Sequence, residues 1–279
     1  MKRKNVYCAL ALAAVLPLAS CGWFSSSKPP ISADKIAEAR KYIQYRVVHS
    51  ANIDPPVTFR VFATGNSYIK SVTFTPRKMK IVTETRIASL GNTFVMPIKY
   101  LSPGSGCDDV TCLADIYQQG DTGIGSYFVG YEFHVPRNDA KKSPEIVYSL
   151  SYALEVLREA ASQPRSETPE FEQAAHDYRH ASSKPELPEQ ARQLKASAEL
   201  EFKDKKFDGA ADDYAEALEI APWWPEGHHE LALALAELKD PYGAIDEMKC
   251  YLALVPDAAD AQAAEDKIKD WEKQLPRRR

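Results

Sequence analysis

From Ala191 to Pro256 the 279-residue chain reads the same way twice, 34 residues apart. Ala198 answers to Ala232, Ala210 to Ala244, Tyr214 to Met248, Leu218 to Leu252 and Pro222 to Pro256. Ala210, Tyr214 and Ala217 fall at i, i+4 and i+7, one stripe of a helix. Small alanines let a neighbouring helix approach closely, and the aromatic fills the space that remains. Pro222 and Pro256 end each second helix and turn the chain into the next unit. In the second copy Leu231, Leu235 and Leu238 line the first helix, and Asp240-Pro241 reads as a cap followed by Pro at the first helical position.

This pattern resembles the tetratricopeptide repeat family, whose unit is two antiparallel helices. The resemblance implies an all-α array of two repeats over residues 189–274, with Ala258–Gln274 as a capping helix. It also implies a scaffold that docks a protein or peptide. Ligands of the family lie along the concave face of the first helices. That placement makes Lys195, Glu199 and Phe202 in the first copy, and His229, Leu233 and Ala236 in the second, the partner-binding residues. Members that clamp a peptide carboxylate carry Lys then Asn where this chain has Lys195 and Glu199. The acidic Glu199 repels a carboxylate, so that clamp is not expected. Leu194 and His228 stand where a large apolar residue is usual, and Tyr251 replaces a small alanine. Trp223 and Trp224, between Pro222 and Pro225, are further partner-binding candidates. Two adjacent side chains at a turn rarely both bury, so one is expected to be free for a partner.

At about 150 residues per domain, the length accommodates two domains with tails. Residues 1–20 read as a signal peptide. Lys2, Arg3 and Lys4 precede an apolar run from Val6 to Leu18, which is too short to span a bilayer as a helix. The run ends in Leu18-Ala19-Ser20-Cys21-Gly22, which resembles a bacterial lipobox. The resemblance implies cleavage before Cys21, lipid on its thiol and, with Gly22 rather than aspartate next, the outer membrane facing the periplasm. From Cys21 onward the chain carries 32 basic and 39 acidic residues, net −7. Such a balance argues against nucleic acid and against an electrostatic hold on anionic lipid. Acyl chains suffice as an anchor, at about 0.8 kcal/mol per buried CH₂. Residues 21–32 then form a flexible tether.

Residues 33–161 read as a strand-rich α+β domain. Ile36, Ala39 and Ile43 mark a helix; Val57, Phe59 and Val61, then Val72 and Phe74, then Met79 and Ile81 alternate as strands. Thr75–Lys78 reads as a hairpin turn, and Thr93–Tyr100 as a strand that Pro97 pushes to a sheet edge. Tyr127–Val135 alternates longest, and Ser143-Pro144 is expected to cap a closing helix through Leu157. This order of elements resembles a pleckstrin-homology-like barrel. Residues 162–188 read as a linker with one helix started by Thr168-Pro169-Glu170; Ala174, Tyr178 and Ala181 on it suggest half of a third repeat. Residues 275–279 form a basic tail.

Cys107 and Cys112 sit in a Gly- and Asp-rich loop, where an oxidising periplasm favours a disulfide. Cys250 reads as a packing thiol. A zinc pair at Cys107 and Cys112 would need two further ligands, and none lies nearby in sequence; His176 and His180 have the i, i+4 spacing of a metal pair but read as two polar residues on an exposed linker helix. Gly120–Gly125 lacks the lysine of a phosphate loop and reads as a turn, and no Gly-x-Ser-x-Gly elbow occurs. No cofactor is expected, and an enzyme in the α+β domain has no constellation to rest on. The leading expectation is a lipid-anchored scaffold in a cell-envelope assembly. The alternative gives the ligand to the α+β domain and self-association to the repeats. Cys21→Ala should leave an uncut precursor that takes no label from a fatty-acid analogue; label retained on that variant would remove the assignment.

Overall fold

The computed structural model describes residues 30–48, 57–61, 67–84, 92–108, 111–121, 126–137 and 139–275. The signal peptide, Cys21, most of the tether, residues 122–125 of the Gly120–Gly125 turn and Arg277–Arg279 lie outside them. No helix among the described residues is long and apolar enough to cross a membrane.

The chain is α+β, a strand-rich part followed by helices. Helix α1 (Ala33–Val48) leads into β1 (Thr58–Val61), β2 (Tyr68–Phe74), β3 (Lys78–Glu84) and β4 (Asn92–Pro97). A 3-10 turn at Ile98–Tyr100 precedes β5 (Leu101–Cys107), β6 (Thr111–Asp121), β7 (Ser126–Pro136) and α2 (Lys142–Ser162). The strands form two antiparallel sheets, ordered β1-β7-β6-β5 and β2-β3-β4. Alternation decides their inward faces: Met79 and Ile81 on β3, Ala114 and Ile116 on β6, and Phe133 and Val135 on β7 are all buried. On β2 the buried pair Ile69 and Val72 lies three apart, because a bulge between Ile69 and Ser71 shifts the register by one. Pro97 ends β4, which is an edge strand and asks no ladder bond of it.

Phe59 joins the sheets: its ring lies 5.3 Å from Phe94 and 5.8 Å from Phe133, and its backbone exchanges bonds of 3.0 and 2.8 Å with Ser67. Helices α1 and α2 complete this core with Ala39, Ile43 and Val47, and with Val147, Leu150, Leu154 and Leu157. Ile31 N–H donates to Gln163 Oε1 at 2.9 Å, tying the start of α1 to the end of α2. The cap of α2 is Asp139 rather than Ser143. Its carboxylate accepts from the N–H groups of Lys141 and Lys142, while Ser143 is buried and donates to Pro136 O. These backbone bonds hold the Asp139 carboxyl below its ordinary range.

The rest is helical: α3 (Pro169–His180), α4 (Glu189–Lys203), α5 (Phe207–Ile220), α6 (Pro225–Glu237), α7 (Pro241–Leu254) and α8 (Ala261–Glu272). The bounds of α7 are those of α5 advanced by 34, and α6 ends 34 residues after α4. Between the helices of each pair one lysine takes a left-handed backbone, Lys205 at φ 60° and Lys239 at φ 61°. Past each lysine the next N–H reaches back to the first helix, Lys206 to Glu201 O at 2.8 Å and Asp240 to Leu235 O at 3.0 Å. Ala210, Ala244, Ala198 and Ala232 are all buried, as are Tyr214 and Met248. Gly227 is needed where it stands, since a Cβ there would lie 2.2 Å from the Trp224 ring.

Helix α3 does not extend this series. Phe171 and Ala175 pack on Cys250 and Leu254 of α7, so the stretch between α2 and α4 is docked and supplies no half repeat ahead of α4. Ala210→Leu should destabilise the protein by about 1–3 kcal/mol in urea titrations, because the close helix contact has no room for three more carbons. Leucine at the exposed Ala196 should change stability by under about 0.5 kcal/mol. Equal effects at the two positions would show that the alanine contact is not tight.

Candidate functional site

The strand-rich part meets the helix pairs on their second helices. Arg77 and Lys78, at the turn between β2 and β3, reach Asp208 and Asp212 on α5. Lys78 Nζ lies 2.5 and 2.6 Å from the two carboxylates, and Arg77 Nη1 lies 2.8 Å from Asp212. Lys99, in the 3-10 turn after β4, donates to both oxygens of Asp240, the N-cap of α7. Arg40 on α1 makes one 3.3 Å contact with Glu219 near the end of α5. Cations come from the strand-rich side and carboxylates from the helical side.

Between these rims the turn Arg165–Glu167 is pinned to α7. Asp246 accepts from the backbone N–H of Arg165 at 2.6 Å and from the N–H and Oγ of Ser166. Glu247, beside it, lies 3.3 Å from the Arg165 guanidinium and 2.6 Å from His228 Nδ1. Burial pushes the Asp246 carboxyl up, the charge of Glu247 adds to this, and the bonds from Ser166 only partly offset it. Burial would raise Glu247 too, but Arg165 and His228 outweigh it and hold its carboxyl below the ordinary range.

These contacts account for two departures from the repeat pattern. His228 is 0% exposed, with Nε2 2.8 Å from Pro222 O, so the polar residue in an apolar position has both nitrogens engaged. Tyr251 donates to Asp260 and sets its ring edge-on to His229 at 5.2 Å, bridging α7 to α6 and to the cap of α8. Burial and then the bond to Asp260 push its hydroxyl up to about 12.

The proposed partner residues separate into outer and inner sets. Lys195 and Glu199 pair with each other on the outside of α4, and His229 and Leu233 are half-buried on α6. Phe202 is half-buried, its ring 5.2 Å from Phe207, so it belongs partly to the core. Trp224 is not a surface residue: it is 6% exposed and packs near Tyr214 and over Gly227. Trp223 is half-buried and stacks on Tyr178 of α3 at 6.4 Å, so the docked helix takes the face expected for a partner. Leu200, which the repeat register did not single out, is 61% exposed on α4.

Cys107 and Cys112 face each other at the end of the β5–β6 ladder and are disulfide-bonded. Cys250 is buried, and burial followed by the charge of Glu247 pushes its thiol up, away from nucleophilic character. His228, Glu247 and Cys250 converge within 4.8 Å, but the imidazole and the carboxylate already hold each other and their neighbours, which makes a structural cluster. His176 and His180 stack at 4.2 Å on the exposed side of α3, with His180 Nδ1 turned to His176 O. Arg165, Asp246, Glu247 and the cations that meet α5 and α7 were missed in the sequence. The one legible signal was an adjacent acidic pair inside the apolar stripe Ala244, Ile245 and Met248.

No known family model matches the chain, and no curated protein matches it.

Glu247→Gln removes the carboxylate that faces both Arg165 and His228, and should cost about 3–5 kcal/mol near pH 7 in urea denaturation. The folded carboxyl is held low, so this contribution is full above the ordinary glutamate value of about 4.3 and fades as pH falls through the folded value. Asp246 is raised and works in the opposite direction, but it is present in both proteins. An identical loss at pH 7 and at pH 3 would show that the charge of Glu247 is not what holds the turn.

Proposed function

We propose that this is a lipid-anchored envelope protein whose tetratricopeptide-like helix pairs dock a protein or peptide segment on the outer residues of α4 and α6. The observation that carries this reading is the recurrence at 34 residues of helix ends, left-handed lysines and buried alanines. Two helix pairs in one register make a shallow groove from their first helices. The second helices, α5 and α7, are already occupied by α3, the Arg165–Glu167 turn and the cations of the strand-rich part. Lys195, Glu199 and Leu200 on α4 stay outside those contacts, so the first helices are the side left to a partner. The anchor rests on the Leu18–Gly22 motif, and the net acidic chain favours protein over nucleic acid as partner. Binding rather than catalysis fits a chain whose convergent His, Glu and Cys side chains serve one another inside the fold.

A photo-crosslinking amino acid placed at Glu199 or Leu200 in intact cells should trap a distinct protein adduct. The same residue at Tyr152, exposed on α2, should not trap it. Adducts from Tyr152 with none from α4 would move the partner to the strand-rich part and overturn this reading.

A further inference from the structure

A cleft of about 710 Å³ lies between the two parts of the chain. Its volume falls within the roughly 300–1,000 Å³ of ordinary small-molecule sites, which favour domain junctions. One side of its lining is apolar, from Ile36 on α1 and Leu157, Ala160 and Ala161 on α2; Leu231 and Leu235 of α6 contribute from the helical side. Most charges around it are spent. Arg77 and Lys78 are held by Asp208 and Asp212, Lys99 by Asp240, and Asp246 and Glu247 by the Arg165–Glu167 turn and His228.

Arg40 is the exception. Its guanidinium has a single 3.3 Å contact, to a Glu219 side chain that is 44% exposed. Its Nε is buried and has no acceptor among the described residues. A buried donor without a protein acceptor is rare in folded proteins and is met by water, an ion or a ligand. The Nε–Nη edge of a guanidinium is a planar fork that takes a carboxylate through two parallel bonds. Ile36 stands one turn before Arg40 on the same face of α1, so an anion held at that edge has apolar wall beside it.

From this juxtaposition we infer that the cleft binds a small monoanion with an apolar body, a carboxylate received by Arg40 with its hydrocarbon part along α1 and α2. An uncharged apolar molecule leaves Nε unanswered. A dianion brings a second charge toward Asp246, Glu247 and Asp208, which also line the cleft. Nε is closed to solvent while Glu219 holds the guanidinium, so the ligand's carboxylate reaches that edge by replacing Glu219, which is 44% exposed and returns to solvent. This site is separate from the outer face of α4 and α6 and stands whether or not a partner docks there.

The test is calorimetric titration of the full chain with decanoate below its micelle concentration, beside decanol and acetate. Decanoate should bind saturably at one site, with decanol and acetate at least tenfold weaker. Arg40→Gln should weaken decanoate at least tenfold. Ala161→Trp, which fills the apolar wall and leaves Arg40 in place, should weaken it as well. Lys269→Gln, on the exposed side of α8, should leave it unchanged. Circular dichroism melts establish that each variant is folded. Absence of saturable heat, equal binding of decanol and decanoate, undiminished binding by a folded Arg40→Gln, or undiminished binding by a folded Ala161→Trp would each overturn the inference.

Discussion

Asp246 and Glu247 stand side by side on α7, one taking the backbone N–H groups of Arg165 and Ser166, the other the Arg165 guanidinium and His228. Through them the strand-rich part, the docked helix α3 and the helix pairs are held in one arrangement. The turn they grip follows directly on α2, whose inner face closes the first core. From the same turn α3 starts, capped by Thr168, and lays Phe171 and Ala175 on the far end of α7. Buried carboxylates are costly unless each finds a cation or several donors. Here each does, and apart from His228 the donors come from Arg165 and Ser166, 81 and 80 residues before Asp246, so the cost of burial becomes a demand for this one docking geometry.

That demand also explains why the departures from the repeat pattern fall where they do. An apolar residue at position 228 would leave Glu247 with Arg165 alone, and a small residue at 251 would leave Asp260 and His229 without the ring that joins them. The helix pairs thus carry two sets of constraints. Alanines and Tyr214 satisfy contacts inside the array, as the 34-residue register requires. His228 and Glu247 satisfy contacts to what is docked outside it, and Tyr251 ties α7 to α6 and to the start of α8.

Which of these constraints can be seen in the sequence follows from their range. Helix pairs show through because their spacing is local and repeated. The strands at Phe59, Met79 and Phe133 show through because each alternates within one element. Strand β5 did not: Pro103, Gly104, Gly106 and Cys107 have poor intrinsic strand propensity, and its extended form comes from pairing with β6 and packing under α2. Asp139 escaped as the cap of α2 because Ser143-Pro144 carries the stronger local signal, although Ser143 is spent on Pro136. The docking of α3 and the burial of Trp223 and Trp224 depend on partners far away in sequence or on a ring seated over Gly227. Periodicity reports neither. Of the outer residues of α4, Lys195 and Glu199 were legible from the repeat register and Leu200 was not, whereas Arg40 was legible only as one more charge on a helix.

The two joints between the parts differ in kind. At the Arg165–Glu167 turn, the buried Glu247 and His228 and the buried Phe171 act together, while the Arg165 side chain is 26% exposed. At the opposite rims the contacts are ion pairs from turn residues, Arg77, Lys78 and Lys99, with partners partly open to solvent. Pairs open to solvent, as at the 61% exposed Asp208, contribute about 0–1 kcal/mol each and weaken as salt rises over the physiological range. Among the described residues the buried apolar cores on the two sides form separate clusters, so polar contacts, Arg40–Glu219 among them, join the parts at the rims. Buried apolar contact at the turn and ion pairs at the rims make the two walls of the cleft differ in their response to salt. Lys195, Glu199 and Leu200 on the outside of α4 take no part in either joint, whereas α6 turns Leu231 and Leu235 into the cleft between them.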